Sequence, residues 1–268
     1  MSYGPEQRVH TPVLRAGWLT QTFVHWAYSP GRVQRLLPAG LVVDTFDGTA
    51  WVGLTAFVMA GVRPPGSPVA LPPFAETNLR TYVRDRDGRD GLWFLSIEVA
   101  CPVMLAARAV GVPYRLGRLD VSRHGDTLVY TGVRRGGGPR YHLAVRPGAP
   151  IRPDTRDVWL TSRWRAYTRQ LGTLWETPVE HAPWPLRSAR LDRVEETVTR
   201  AAGLPPSDTE PTVHFSDGVR NVRLGVSRPL RPARGRDADD GPPASRTPRS
   251  HGGHGSHDGY GSNQGGSR

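Results

Sequence analysis

The chain has 268 residues, 37% of them hydrophobic, enough to bury a core in one large β domain or two small ones. All 35 basic residues are arginine, for a formal net charge of +11, so no side-chain amine chemistry is available to the protein. The arginines are spread along nearly every segment instead of clustering with aromatics, which argues against a nucleic-acid partner, and the lone Cys101 excludes internal disulfides and cysteine-based zinc sites.

The opening residues MSYGPEQRVH lack an apolar signal core, and the longest near-apolar stretch, Ala50 to Val62, is too short to span a bilayer as a helix. A cytoplasmic address with no membrane partner is the expectation. Ser29-Pro30 reads as the start of a short helix, Ser as N-cap and Pro at the first helical position, with Val33, Leu36 and Leu37 on one face. Leu41 to Phe46, the turn Asp47-Gly48 and Thr49 to Met59 read as a hairpin, because an Asp-Gly pair between β-rich runs is a strong two-residue turn signal. A second hairpin pairs Glu76 to Arg84 with Leu92 to Val99 across a turn spanning Asp85 to Gly91. A helical stretch from Pro102 to about Val110 follows.

Further strands are expected at Tyr114–Ser122, Thr127–Arg134, Tyr141–Arg146, Trp164–Gln170, Leu174–His181, Arg187–Glu195, Thr212–Phe215 and Val219–Val226. Asp154 to Gln170 also reads as an amphipathic helix whose arginines at 156, 163, 165 and 169 form a solvated face. So many strands with few short helices predict a mainly β (α+β) fold, an antiparallel barrel or sandwich that leaves few exposed edges. Residues 1–228 are expected to form that single domain. Residues 229–268, rich in Pro, Arg, Gly, Ser and His, are expected to be a disordered tail, since they hold too little apolar surface to offset ordering entropy. Within the tail, His251, His254 and His257 recur every third residue, a spacing that reads as flexible low-complexity sequence with weak transition-metal binding as the alternative.

The second hairpin carries the most informative pattern. Alternation puts Thr77, Leu79, Thr81 and Val83 on one face and Glu76, Asn78, Arg80 and Tyr82 on the other. A register pairing Arg84 with Leu92 aligns the apolar faces and sets Phe94, Ser96 and Glu98 beside Tyr82, Arg80 and Asn78. If that polar face points inward, a guanidinium among carboxylates, an amide and a phenol forms a site for a small oxygenated anion; if it points to solvent, it is ordinary surface.

Other candidates carry less. His10, His25, His124, His142, His181 and His214 show no metal-ligand spacing, so no metal and no cofactor are expected. Gly136-Gly137-Gly138 is followed by no Lys-Ser or Lys-Thr and by no helix, so it is a turn and not a phosphate loop. Cys101, beside Pro102 and Val103-Met104-Leu105, has no neighbouring base and reads as a small hydrophobe.

Several ordered motifs carry a family resemblance: Leu37-Pro38-Ala39-Gly40-Leu41 with Asp44, Phe74 to Val83, Gly91-Leu92-Trp93-Phe94, Trp159 to Trp164, Pro183-Trp184-Pro185-Leu186 and His214 to Val219. Together they resemble the YqjF-like family of uncharacterised bacterial proteins, a domain of unknown function, over about Trp18 to Val226. That family is distantly similar to acetoacetate decarboxylase, which implies a barrel around an enclosed site. In the decarboxylase a Gly-aromatic-Pro-Lys-Lys run supplies the Schiff-base lysine and the neighbour that lowers its pKa, an enzyme that is itself a standard example of this activation. Here the matching stretch ends Val112-Pro113-Tyr114-Arg115, and neither a phenol nor a guanidinium forms an imine.

The resemblance therefore implies an antiparallel barrel of the acetoacetate decarboxylase type without that enzyme's mechanism. It leaves a pocket in which Glu76, Glu98 and Tyr114 serve as acid, base or hydrogen-bond donor while Asn78, Arg80, Tyr82 and Arg115 bind a small organic acid or carbonyl compound. Enolisation, hydration or lyase chemistry fits such groups. The alternative is a non-catalytic binding or interaction protein whose polar row is a structural ion network, and self-association into a homo-oligomer is compatible with either.

Overall fold

The computed structural model describes residues 3–63 and 68–230, and for Val110 the backbone alone. The strands are β1 (Leu14–Tyr28), β2 (Val42–Val43), β3 (Thr45–Phe46), β4 (Thr49–Ala60), β5 (Phe74–Arg84), β6 (Asp90–Val99) and β7 (Tyr114–His124). They continue as β8 (Thr127–Arg134), β9 (Arg140–Pro150), β10 (Arg165–Gln170), β11 (Thr173–Glu180), β12 (Leu186–Glu196), β13 (Thr212–Leu224) and β14 (Arg228–Pro229). Three short α-helices, α1 (Pro30–Gln34), α2 (Thr155–Thr161) and α3 (Val198–Ala201), and a 3-10 helix over Pro102–Val110 complete the elements of the described residues. None is long and apolar enough to cross a membrane.

All fourteen strands join one sheet, ordered β14-β11-β10-β6-β7-β8-β9-β12-β13-β1-β4-β5-β2 with β3 on β4. Added pairings of β5 with β6 and of β11 with β13 tie distant parts of this path together. The sheet is mixed, which corrects the antiparallel expectation: β6 pairs in parallel with both β7 and β10. The reason lies in the connection. A crossover carrying a helix brings the next strand back in the same direction, and the 3-10 turn between β6 and β7, ended by Gly111 at φ 88°, is such a crossover.

The turns follow their local sequence signals. Asp47 and Gly48 both take positive φ between the paired Phe46 and Thr49, the geometry of a two-residue hairpin turn. Ser29 precedes α1 with Pro30 at its first position and Val33 fully buried. The 154–170 segment corrects the long-helix reading. A capping box between Asp154 and Asp157 starts α2, which ends at Thr161, and β10 begins at Arg165. Arg163 between them is buried, not on a solvated face. The two strands expected at 212–226 are one, β13; Gly218, at φ 118°, passes so close to Trp18 that a Cβ would lie 2.2 Å from its carbonyl oxygen.

The register of the β5–β6 hairpin also differs from expectation. Arg84 pairs with Asp90, not Leu92, because Asp85 closes a tighter loop: its carboxylate accepts from the backbone N–H groups of Asp87 and Arg89 at 3.0 and 2.9 Å. Farther along, the pairing passes from Arg80–Phe94 to Leu79–Ser96, a bulge that leaves Leu95 extra and inverts which face each later β6 residue occupies.

Strand β5 is buried from Ala75 through Val83, so both of its faces are packed and the solvent-facing alternative fails. Leu79 joins the largest core cluster with Val24, Leu54, Tyr130 and Leu143. The face bearing Glu76, Asn78 and Arg80 borders a cavity. Of the tail expected over 229–268, Pro229 pairs with Trp175, and the residues beyond Leu230, with His251, His254 and His257, lie outside the described residues.

Candidate functional site

The cavity has a volume of about 200 Å³, and β5 supplies three of its polar groups. Glu76, Asn78 and Arg80 project into it at alternate positions, each under a tenth exposed. Tyr114 joins them because parallel β7 sets it opposite Ile97, itself opposite Asn78.

Glu76 is the one carboxyl group in the cavity lining among the described residues. Tyr114 Oη donates to its Oε2 at 3.1 Å, and the Asn78 amide, oriented with Nδ2 toward the carboxylate, donates to Oε1 at 3.2 Å. Burial nevertheless dominates and pushes its pKa up to about 7, with both hydrogen bonds pulling the other way. The Tyr114 phenol is itself driven well upward, by burial first and the adjacent Glu76 charge second, so it remains a donor.

Arg80 is the unusual member. No carboxylate among the described residues lies within ion-pair distance, and its Nε and one terminal nitrogen have no hydrogen-bond partner there. Its guanidinium sits over the Phe23 ring at 5.5 Å. Burial works against its charge, and the nearby Tyr82 phenol offsets only part of that. A guanidinium does not lose its proton in proteins, so the cavity wall holds a cation with no counter-ion among the described residues.

Three expected residues stand elsewhere. Tyr82 is on the same face of β5 but its hydroxyl is taken up by Leu160 O at 2.5 Å and His25 Nε2 at 2.8 Å, outside the cavity lining. The bulge at Leu95 turns Glu98 to the opposite face, beside Thr77, where it accepts from Ser96 Oγ at 2.6 Å and pairs with Arg134. Arg115, one residue past Tyr114, lies on the side of the sheet away from the cavity, with Glu98, and is exposed.

The structure adds His181, which sequence spacing did not single out. It lines the cavity among the rings of Trp164, Trp184 and Trp18, at centroid distances of 4.7, 5.0 and 5.5 Å. Nδ1 donates to Ala182 O at 2.6 Å, which leaves the Nε2 lone pair free as an acceptor. Burial lowers its pKa to about 4, so the ring is neutral near pH 7. The one local hint was its place at the end of a β run just before the Pro183-Trp184-Pro185 turn. Two further arginines of the lining are paired: Arg163 with Asp44 and Asp90, and Arg165 with Glu6, Asp90 and Glu176. Among the described residues no three metal-ligating side chains converge.

Comparison with known proteins places this geometry. The chain is 31% identical over 212 residues to the uncharacterized protein YqjF of Bacillus subtilis (strain 168), covering 76% of this chain and 87% of that one. Among solved structures, an acetoacetate decarboxylase-like enzyme from Sphingomonas wittichii RW1 superposes with a TM-score of 0.55 at 19% identity, over 84% of this chain and 96% of that one. The enduracididine biosynthesis enzyme MppR complexed with pyruvate matches at 0.56 and 17%, over 84% and 93%. Acetoacetate decarboxylase from Legionella pneumophila matches at 0.54 and 13%, over 84% and 92%. These structural likenesses establish a shared acetoacetate decarboxylase-like fold. With the model of an uncharacterized conserved protein family, domain of unknown function 2071, matching residues 15–220, the chain belongs to that family, as a relative of YqjF.

Proposed function

We propose that the protein binds a small organic acid or carbonyl compound in the β5 cavity and acts on it by proton transfer, without a Schiff base. The observation that carries this is Arg80: a buried guanidinium with no counter-ion among the described residues is costly, and a ligand carboxylate in the cavity supplies one. Glu76, titrating near neutrality, is the group that donates or removes the proton, oriented by Tyr114 and Asn78. Enolisation, hydration and elimination next to a carbonyl all fit this set; imine chemistry does not, since the chain has no lysine. The β5–β6 and β11–β13 pairings support reading the sheet as a barrel closed around the site. That a solved neighbour, MppR, is complexed with pyruvate agrees with a ligand of this class.

The test is a thermal-shift titration of the full chain with small carboxylates and ketones, repeated with Arg80→Met. A carboxylate should raise the melting temperature of the parent and not of the variant. Hits that survive the substitution would put the site elsewhere. A structural ion-network reading applies to Glu98–Arg134 and to Arg163 with Asp44 and Asp90, where the charges are already paired.

A further inference from the structure

The reading above leaves the ligand's body undefined, and the rest of the cavity wall defines it. From Arg80 a chain of aromatic contacts leads round to Glu76. Phe23 lies under the Arg80 guanidinium and packs edge-on against Trp184 at 5.2 Å. Trp184 stacks on Trp18 at 6.1 Å, and Trp18 meets Phe57 edge-on at 6.0 Å. Phe57 is the direct cross-strand neighbour of Glu76. Trp18, Phe57 and Trp184 all line the cavity, with Met59, Met104 and Val179 extending the apolar surface.

Size and charge narrow the choice. A void of about 150 Å³ lined by apolar side chains is known to admit benzene, whereas drug-sized ligands need about 300 Å³ or more. A cavity of about 200 Å³ lies between these limits. A three- or four-carbon acid would leave much of this apolar wall without contacts, forfeiting dispersion and burial. As for charge, Arg163 and Arg165 are already paired, His181 is neutral near pH 7, and Arg80 remains as the one cation in the lining without a counter-ion among the described residues.

We infer that the ligand is a monocarboxylate carrying one ring-sized apolar group, an aryl or comparably bulky side chain, with its carboxylate on Arg80 and its body against Trp18, Phe57 and Trp184. This rests on the Arg80 site of the proposed function and specifies its substrate class. His181 Nε2, held as an acceptor within the aromatic cluster, favours a ligand bearing one donor on or near the ring over a purely hydrocarbon one.

The experiment is a set of dissociation constants for the full chain, read by tryptophan fluorescence and by thermal shift, with pyruvate, phenylpyruvate and 2-oxoglutarate. Burying a ring should make phenylpyruvate bind about 10- to 100-fold tighter than pyruvate. 2-Oxoglutarate, whose second carboxylate finds no cation, should bind more weakly than phenylpyruvate by a similar factor. Ala107→Phe, which fills the lining from the 3-10 turn, should weaken phenylpyruvate and spare pyruvate. Pyruvate or 2-oxoglutarate binding as tightly as phenylpyruvate, with every affinity lost in Arg80→Met, would overturn the substrate class and leave the Arg80 site standing. If none of the three shows Arg80-dependent binding, both the class and the site fail.

Discussion

Arg163 and Arg80 are two buried arginines lining the same cavity, yet their surroundings are opposite. Arg163 bridges Asp44 and Asp90, each at 3.2 Å, and lies over the rings of Trp159 and Tyr82 at 4.4 and 4.9 Å. Arg80 has one aromatic ring beneath it and no carboxylate within reach among the described residues. The first is a strut that ties the turn before β10 to β6 and to the segment ahead of β3. The second is a charge the fold maintains at its own expense. Burial of a cation therefore does not mark a site; burial without an internal counter-ion does.

The sharpest way to break this contrast is to remove each charge. Arg163→Met removes one of two arginine partners from each of Asp44 and Asp90, which keep Arg84 and Arg165, and should lower the unfolding free energy by about 3 kcal/mol in a denaturant titration. A loss near zero would mean that its network is not structural.

Glu76 gives the next effect, and it depends on pH. Its folded pKa of about 7 lies above the unfolded 4.5, so the stability gained from holding the proton is complete below 4.5 and is lost as pH rises through 7. Glu76→Gln, permanently neutral, should match the parent at pH 4 and exceed it by up to about 3 kcal/mol at pH 8. A difference that does not change between those pH values would place the Glu76 titration elsewhere.

Arg80→Met should act in the direction opposite to Arg163→Met. Exchanging an uncompensated guanidinium for a side chain of similar length should stabilise the ligand-free protein by about 1–3 kcal/mol while abolishing the carboxylate-induced thermal shift. A destabilised variant would return Arg80 to the structural class. Arg115→Ala, on the exposed outward face of β7, should leave stability within about 0.5 kcal/mol and ligand affinity unchanged.

The site was partly legible in the chain, and the limits are physical. Alternation along 76–83 separates Glu76, Asn78 and Arg80 from Thr77 and Leu79 because successive side chains leave a strand on opposite faces, whatever the strand pairs with. The parity of Glu98 did not follow in the same way. A single extra residue at Leu95, invisible to periodicity, turned it and the positions around it over. His181 and Trp18, far apart in sequence, meet because β13 pairs with both β1 and β11.

What the sequence determines by itself is local or compositional: the turns at Asp47-Gly48 and Ser29-Pro30, the two faces of β5, and the absence of any lysine to form an imine. Tertiary structure alone decided that both faces of β5 are buried, that β6 has parallel neighbours on two sides, and which arginine of the cavity lining has no counter-ion among the described residues. Propensity and alternation act over a few residues, whereas burial and charge pairing depend on segments more than a hundred residues apart, as when Asp44 meets Arg163.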